Sequence, residues 1–307
     1  LNSTDNANYV NLIIGLGNTE FARLNYESAE TQYRFARNIL VENKHENNFG
    51  MVVSLRGIAD SLAAQLRPRE AEKFYIKAAE LQQRENGKNS YYASILGNLG
   101  GLYISMGAQD KAEKILLDVT ELQKRGVLID QTAGAWHISM LGLIYFERLE
   151  FERALKYFQL AREGINQLYG MEDQHPESAL ILYYISKVYF AQGKYDEALE
   201  LGEKAFNLIP KNENRYLSTL ALIKMGLAEI YRMKRQFDMS KILFSESLHI
   251  MERIYKKHDM NIASNLMGAA RLDADLGKYR DAWKKIQRAV RLTEKDIDLK
   301  YEYTAEH

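Results

Sequence analysis

Between Ile185 and Pro210 the chain reads ISKVYFAQGKYDEALELGEKAFNLIP. A small residue (Ser186), a tyrosine (Tyr189), the break Gln192-Gly193-Lys194, an aromatic (Tyr195) and two alanines (Ala198 and Ala205) follow one another, and Pro210 closes the stretch. Helix-forming segments on both sides of a glycine turn predict two helices joined as a hairpin.

Aligned on Ala198, the same pattern returns along the whole chain. The anchor position holds Ala29, Ala71, Ala112, Ala154, Ala198, Ser240 and Ala282, at steps of 41 to 44 residues. Three residues before it stands an aromatic at Tyr26, Phe151, Tyr195, Phe237 and Tyr279, and nine before it a tyrosine at Tyr103, Tyr145, Tyr189 and Tyr231. Twelve before it the residue is small (Gly17, Ala59, Gly100, Gly142, Ser186, Ala228, Ala270), and seven after it small again at Ala36, Ala78, Ala161, Ala205, Ser247 and Ala289. Small side chains at fixed points let two antiparallel helices approach closely, while the tyrosine and the aromatic fill the gap between one pair and the next. Gly107, Gly193 and Gly277 supply turns, and Pro68 opens a second helix. The pattern therefore predicts an all-α solenoid of about seven helical hairpins forming a single domain over 1–307. The units fall near 8–46, 47–88, 89–128, 129–172, 173–212, 213–257 and 258–297, with a tail at 298–307.

Composition agrees with helix nearly throughout, since only Pro68, Pro176 and Pro210 interrupt 307 residues rich in Ala, Leu, Glu, Gln and Lys. No apolar run reaches the roughly 18 residues of a transmembrane helix, so no membrane insertion is expected. Basic and acidic side chains balance at 41 each, which leaves no global field to attract nucleic acid directly. The absence of cysteine excludes disulfides, thiolate chemistry and cysteine-ligated zinc, and fits the cytosol and an oxidising compartment alike. No basic segment followed by an apolar core marks a signal peptide, and Leu1 is not an initiator methionine, so residues upstream are expected to have been removed.

In order, Ser186, Tyr189, Gly193, Tyr195, Ala198, Ala205 and Pro210 resemble the signature of the tetratricopeptide repeat. The resemblance covers roughly Asn8 to Lys295, with a period longer than the ~34 residues usual for that family. The long form is similar to the repeats of kinesin light chains and related bacterial proteins. Its carriers are Leu168-Tyr169-Gly170 followed by His175-Pro176-Glu177-Ser178-Ala179, and Asn98-Leu99-Gly100-Gly101-Leu102-Tyr103. Ile254-Tyr255, His258-Asp259 and Ile262-Ala263 form a weaker echo. The resemblance implies the repeat fold wound as a right-handed superhelix, and a cargo-peptide or adaptor role.

In such an array the first helix of each hairpin lines a concave face, the default binding surface. The positions there are Asn11, Asn18, Arg56, Asp60, Asn98, Trp136, Ser139, Leu143, Lys187, Glu229 and Arg271, with Phe146 and Phe190 nearby. They run from amides through aromatics to charges. Asparagine can both donate to and accept from an extended peptide backbone, and aromatic residues and arginine are frequent hot spots. The plainer roles are solvated or capping asparagines and aromatics packed between repeats. The basic run Lys278, Arg280, Lys284, Lys285, Arg288, Arg291 and Lys295 fits the polar outer surface of a terminal repeat. Replacing Asn98 and Trp136 together with alanine is expected to abolish partner binding while leaving helicity and melting intact.

Catalytic signals are thin. His45, His137, His175, His249, His258 and His307 are scattered, with no zinc-type histidine spacing and no nucleophile-elbow serine. Gly97, Gly100 and Gly101 fall inside a first helix with no strand before them, unlike a phosphate loop. The pairs Asp273/Asp275 and Glu150/Glu152 are spaced to point to different helix faces. Asn2-Ser3-Thr4 fits a glycosylation acceptor, which matters only in a secreted eukaryotic protein. The sequence thus predicts a non-catalytic module without cofactor or metal that captures a protein or peptide segment in its groove. The alternative is a ligand- or peptide-sensing regulatory domain, similar to bacterial peptide-pheromone receptors, whose effector domain lies outside this chain.

Overall fold

The computed structural model describes residues 3–45, 48–125, 131–210, 213–254 and 260–305, with side chains over 8–45, 48–125, 134–210, 213–254 and 260–293. Asn2, Tyr255, His258, Asp259 and His307 lie outside the described residues, as do the side chains of Ser3, Thr4 and Lys295. Fourteen α-helices and no strand occur among the described residues, so the chain is all-α.

Two compact units make up the chain, Leu1–Leu141 and Gly142–His307. The first holds the hairpins α1 (Ser3–Ala22) with α2 (Tyr26–Glu42), α3 (Phe49–Ala64) with α4 (Pro68–Asn86), and α5 (Ser90–Ser105) with α6 (Gln109–Lys124). The boundary falls within α7 (Gln131–Glu147). In the second unit the end of α7 packs on α8 (Phe151–Tyr169), where the Phe158 ring covers Gly142. The hairpins α9 (Ser178–Ala191) with α10 (Tyr195–Leu208), α11 (Leu217–Met233) with α12 (Phe237–Ile254), and α13 (Met260–Asp275) with α14 (Tyr279–Ala305) follow. A 3₁₀ turn, Asn214–Tyr216, precedes α11.

Within each unit, first helices of successive hairpins touch one another: α1 with α3 and α3 with α5, then α9 with α11 and α11 with α13. Successive second helices meet only through long side chains among the described residues, as where Arg34 of α2 reaches the Phe74 ring of α4 and Arg288 of α14 pairs with Glu252 of α12. The first helices therefore line the inner face of each unit, and their sequences are apolar on several sides because they pack on several neighbours. Second helices such as α8 and α10 carry one buried stripe of small and apolar residues.

The seam inside a hairpin forms where small residues meet. Ala29, Ala71, Ala112, Ala154, Ala198 and Ser240 are fully buried. The Ser186 hydroxyl donates to the Ala198 carbonyl at 2.6 Å and the Ser240 hydroxyl to the Ala228 carbonyl at 2.8 Å, so positions twelve apart in the repeat face each other. The repeat tyrosine joins one hairpin to the one before it. Tyr103 donates to Glu72 on α4 and Tyr231 to Glu203 on α10, both at 2.7 Å.

Every hairpin turn has the same backbone. Five residues before each anchor, one residue sits in the left-handed region: Leu24, Leu66, Gly107, Leu149, Gly193, Arg235 and Gly277, with φ between 58° and 77°. The amide after it closes the helix end, as in Asn25 to the Glu20 carbonyl, Lys194 to Tyr189 and Gln236 to Tyr231, each 2.9 Å. Glycine announces this turn in sequence at three places only. At Leu24, Leu66, Leu149 and Arg235 the packing of the flanking helices imposes it against the preference of an L side chain.

Candidate functional site

In the first unit the polar first-helix residues turn toward one another. Asp60 on α3 accepts the Tyr75 hydroxyl at 2.5 Å and the Asn98 amide of α5 at 3.1 Å, and its other oxygen lies 3.5 Å from Arg56 Nε. The Arg56 guanidinium stands 5.1 Å from the centre of the Tyr91 ring. Burial raises the Asp60 pKa, opposed by the charge of Arg56 and by the two hydrogen bonds. Asn18 is occupied in the same way, accepting the Tyr33 hydroxyl at 2.7 Å. Asn11 is exposed, and Trp136 stands 40% exposed on α7. Ser139 is buried and its hydroxyl donates to the Trp136 carbonyl at 2.7 Å.

His137 lies next to this network. Its ring covers Gly97, where a Cβ atom would stand 2.2 Å away, which gives that glycine a packing role. Burial, and then the charge of Arg56, lowers its pKa to about 4, so the imidazole is neutral, and its Nδ1 has no hydrogen-bond partner among the described residues.

In the second unit the inner face opens into a cavity of about 470 Å³ between α9, α11, α13 and α14. Lys187, Glu229 and Arg271, expected on the concave face from their place in the repeat, and Phe190, expected nearby, line it together. Most of the wall is apolar, formed by Tyr183, Met225, Met260, Met267 and Val290. Glu229 is neutralised by Arg232 at 2.8 Å and Arg271 at 2.7 Å, and Arg232 also pairs with Asp275 at 2.6 Å. The half-buried Lys187 places its Nζ 5.0 Å from the centre of the Phe146 ring and 5.9 Å from that of Tyr183. Burial lowers its pKa against the opposing pull of Glu147. Leu143 is half-buried, and Phe190 meets Tyr195 with ring centres 5.5 Å apart.

The inner face thus gathers two separate sets, one in each unit. Sequence comparison of the repeats did not single out Tyr183, the methionines or Gly226, since apolar first-helix residues look alike whether they fill a seam or border a void. The basic run on α14 is partly paired, Lys285 with Asp273 and Lys284 with Asp281. Among the described residues no cluster of three or more His, Asp or Glu side chains has metal-binding geometry.

A tetratricopeptide repeat family model matches residues 50–125 and 131–211, just over half of the chain. Several solved structures share the fold. The apo quorum sensor NprR from B. thuringiensis aligns with a TM-score of 0.73 at 14% identity, over 94% of this chain and 77% of its own. Apo RapI aligns at 0.72 and 17% identity, over 94% of this chain and 99% of its own. The Rap conjugation gene regulator of plasmid pLS20, in complex with the Phr* peptide, aligns at 0.69 and 20% identity, over 97% and 77%. No curated protein matches the chain.

Proposed function

The chain belongs to the tetratricopeptide repeat family, and from that premise we propose that it is a non-catalytic module that captures a segment of a peptide or partner protein, with the cavity of the second unit as the docking point. The observation that carries this reading is the convergence of Lys187, Phe190, Glu229 and Arg271 on one largely apolar cavity of about 470 Å³. That volume lies within the ~300–1,000 Å³ of ligand sites, and an apolar wall with a few placed polar groups is their usual composition. The first-unit set, with Asn18, Arg56 and Asn98 bonded internally, supports the inner face rather than forming the docking point.

Panning a random peptide display library on the immobilised chain and titrating the selected peptides by calorimetry tests this. Selected peptides compete for one site and lose about tenfold in affinity on Phe190→Ala. A library that yields no binder, or binders indifferent to Phe190→Ala and Met267→Ala, overturns it.

A second reading, a sensory domain that switches an effector, draws on two of the solved structures: one is described as a quorum sensor and one as a gene regulator with bound peptide. It requires that the bound peptide change hydrogen exchange in helices away from the cavity; protection confined to cavity-lining helices rules it out.

A further inference from the structure

The cavity of the second unit carries one charge that has no ion-pair partner among the described residues. Glu229 is fully engaged by Arg232 and Arg271, and Gly268 lets α13 come so close that a Cβ there would stand 2.8 Å from Glu229 Oε1. Lys187 has no such counterpart. Among the described residues its ammonium meets the faces of Phe146 and Tyr183 and no ion-pair partner, and the acidic side chain that acts on it from a distance is Glu147. Of the ionised groups that the described residues place on the cavity wall, Lys187, Glu229 and Arg271, the last two neutralise each other and the first remains.

A partly desolvated ammonium held by aromatic faces is stabilised less than one paired with a carboxylate, because a charge-assisted hydrogen bond in a low-dielectric site is stronger than a cation–π contact. The rest of the wall offers dispersion contacts and methionine side chains that adapt to shape. We infer that this cavity receives an apolar group carrying a single carboxylate, with the carboxylate seated on Lys187 and the apolar body against Met225, Met260 and Met267. The assignment deepens the proposed docking point. Two sources supply this chemistry, the free C-terminus of a peptide ending in apolar residues and a medium-chain fatty acid.

The test titrates the full chain with an N-acetylated pentapeptide ending in two leucines, with the same peptide as its C-terminal amide, and with decanoate. The free acid is expected to bind about tenfold more tightly than the amide, as for a hydrogen bond to a charged group. Lys187→Met should erase that preference and Lys187→Arg should keep part of it. Lys187→Gln, with circular dichroism of each variant, guards against a folding defect. Acid and amide binding equally, or a preference that survives Lys187→Met, overturns the carboxylate assignment and leaves the peptide site standing. Decanoate binding that depends on Lys187, with neither peptide bound, supports the assignment and removes the peptide reading. Failure of all three probes to bind removes both.

Discussion

The ring of Tyr183 on α9 lies across Gly226 on α11, so close that a Cβ atom at position 226 would stand 2.4 Å from its nearest ring carbon. Both residues line the cavity of the second unit, and the bare backbone at 226 is what lets the ring lie flat as its wall. Gly226→Ala forces the ring into the cavity or the two helices apart. Overpacking of this kind costs about 1–3 kcal/mol. The variant should melt at lower temperature with unchanged helicity and bind selected peptides about tenfold more weakly. Gly164→Ala is the matched control, because a Cβ there meets nothing within 4 Å, and its affinity should equal that of the parent.

Leu149 is held at φ 62° with its side chain 72% exposed, so it bears the cost of a left-handed backbone without gaining burial. Glycine removes about 1–2 kcal/mol of steric strain and adds about 0.5–1 kcal/mol of unfolded-state entropy. Leu149→Gly should therefore stabilise the chain by about 0.5–1 kcal/mol, read as a higher urea midpoint. A midpoint that falls means that the leucine side chain supports the turn.

Asp173, with a side chain 1% exposed, closes the link between α8 and α9 through Arg162 Nε at 2.6 Å and Lys204 at 2.9 Å. Burial alone raises its pKa, but the hydrogen bonds from Arg162, Lys204 and Asn166 and the charge of Arg162 bring it down to about 2. Since this lies below the ordinary carboxylate value near 4, the stabilisation is complete above pH ~4 and is lost as the pH falls toward ~2. The shift corresponds to about 2 kcal/mol. Asp173→Asn should lower stability at pH 7 by about 2–4 kcal/mol, since it also leaves two cations without their partner. Denaturant titrations from pH 7 to pH 2 should show the gap between variant and parent closing; a constant gap excludes the ion cluster as its cause.

The register of the array was legible because its determinants are local: a buried alanine, a tyrosine nine residues before it and an aromatic three before it recur at fixed spacing. The turns were legible only where glycine marks them. Leu24, Leu66, Leu149 and Arg235 adopt the same backbone with no local signal, because helix packing on both sides imposes it. At the candidate site, position in the repeat register identified Lys187, Glu229 and Arg271, with Phe190 nearby, but could not separate charges left facing a cavity from charges absorbed by neighbours. That distinction rests on contacts between hairpins some forty residues apart, such as Arg271 with Glu229 and Asn98 with Asp60. The cavity itself depends on which methionines fail to fill a seam, a three-dimensional property with no period in sequence.

Asn98 donates to Asp60 at 3.1 Å, which alters what its replacement should do. A partly buried carboxylate that loses one of its donors keeps Tyr75 and Arg56 but is less well compensated, at a cost of about 1–3 kcal/mol. Asn98→Ala should therefore lower melting on its own, contrary to the expectation that the Asn98 and Trp136 pair can be removed with melting intact. Trp136→Ala, at a site 40% exposed, should change stability much less. Asn98→Asp separates the hydrogen bond from side-chain volume: it sets a second carboxylate against Asp60, so its deficit should be largest at neutral pH and shrink on acidification, when one proton can be shared. Thermal melts of the three variants at pH 7 and pH 4.5 decide the point. If Asn98→Ala melts like the parent, the amide is not engaged by Asp60 and is free for a ligand, which restores the groove role expected of it from sequence.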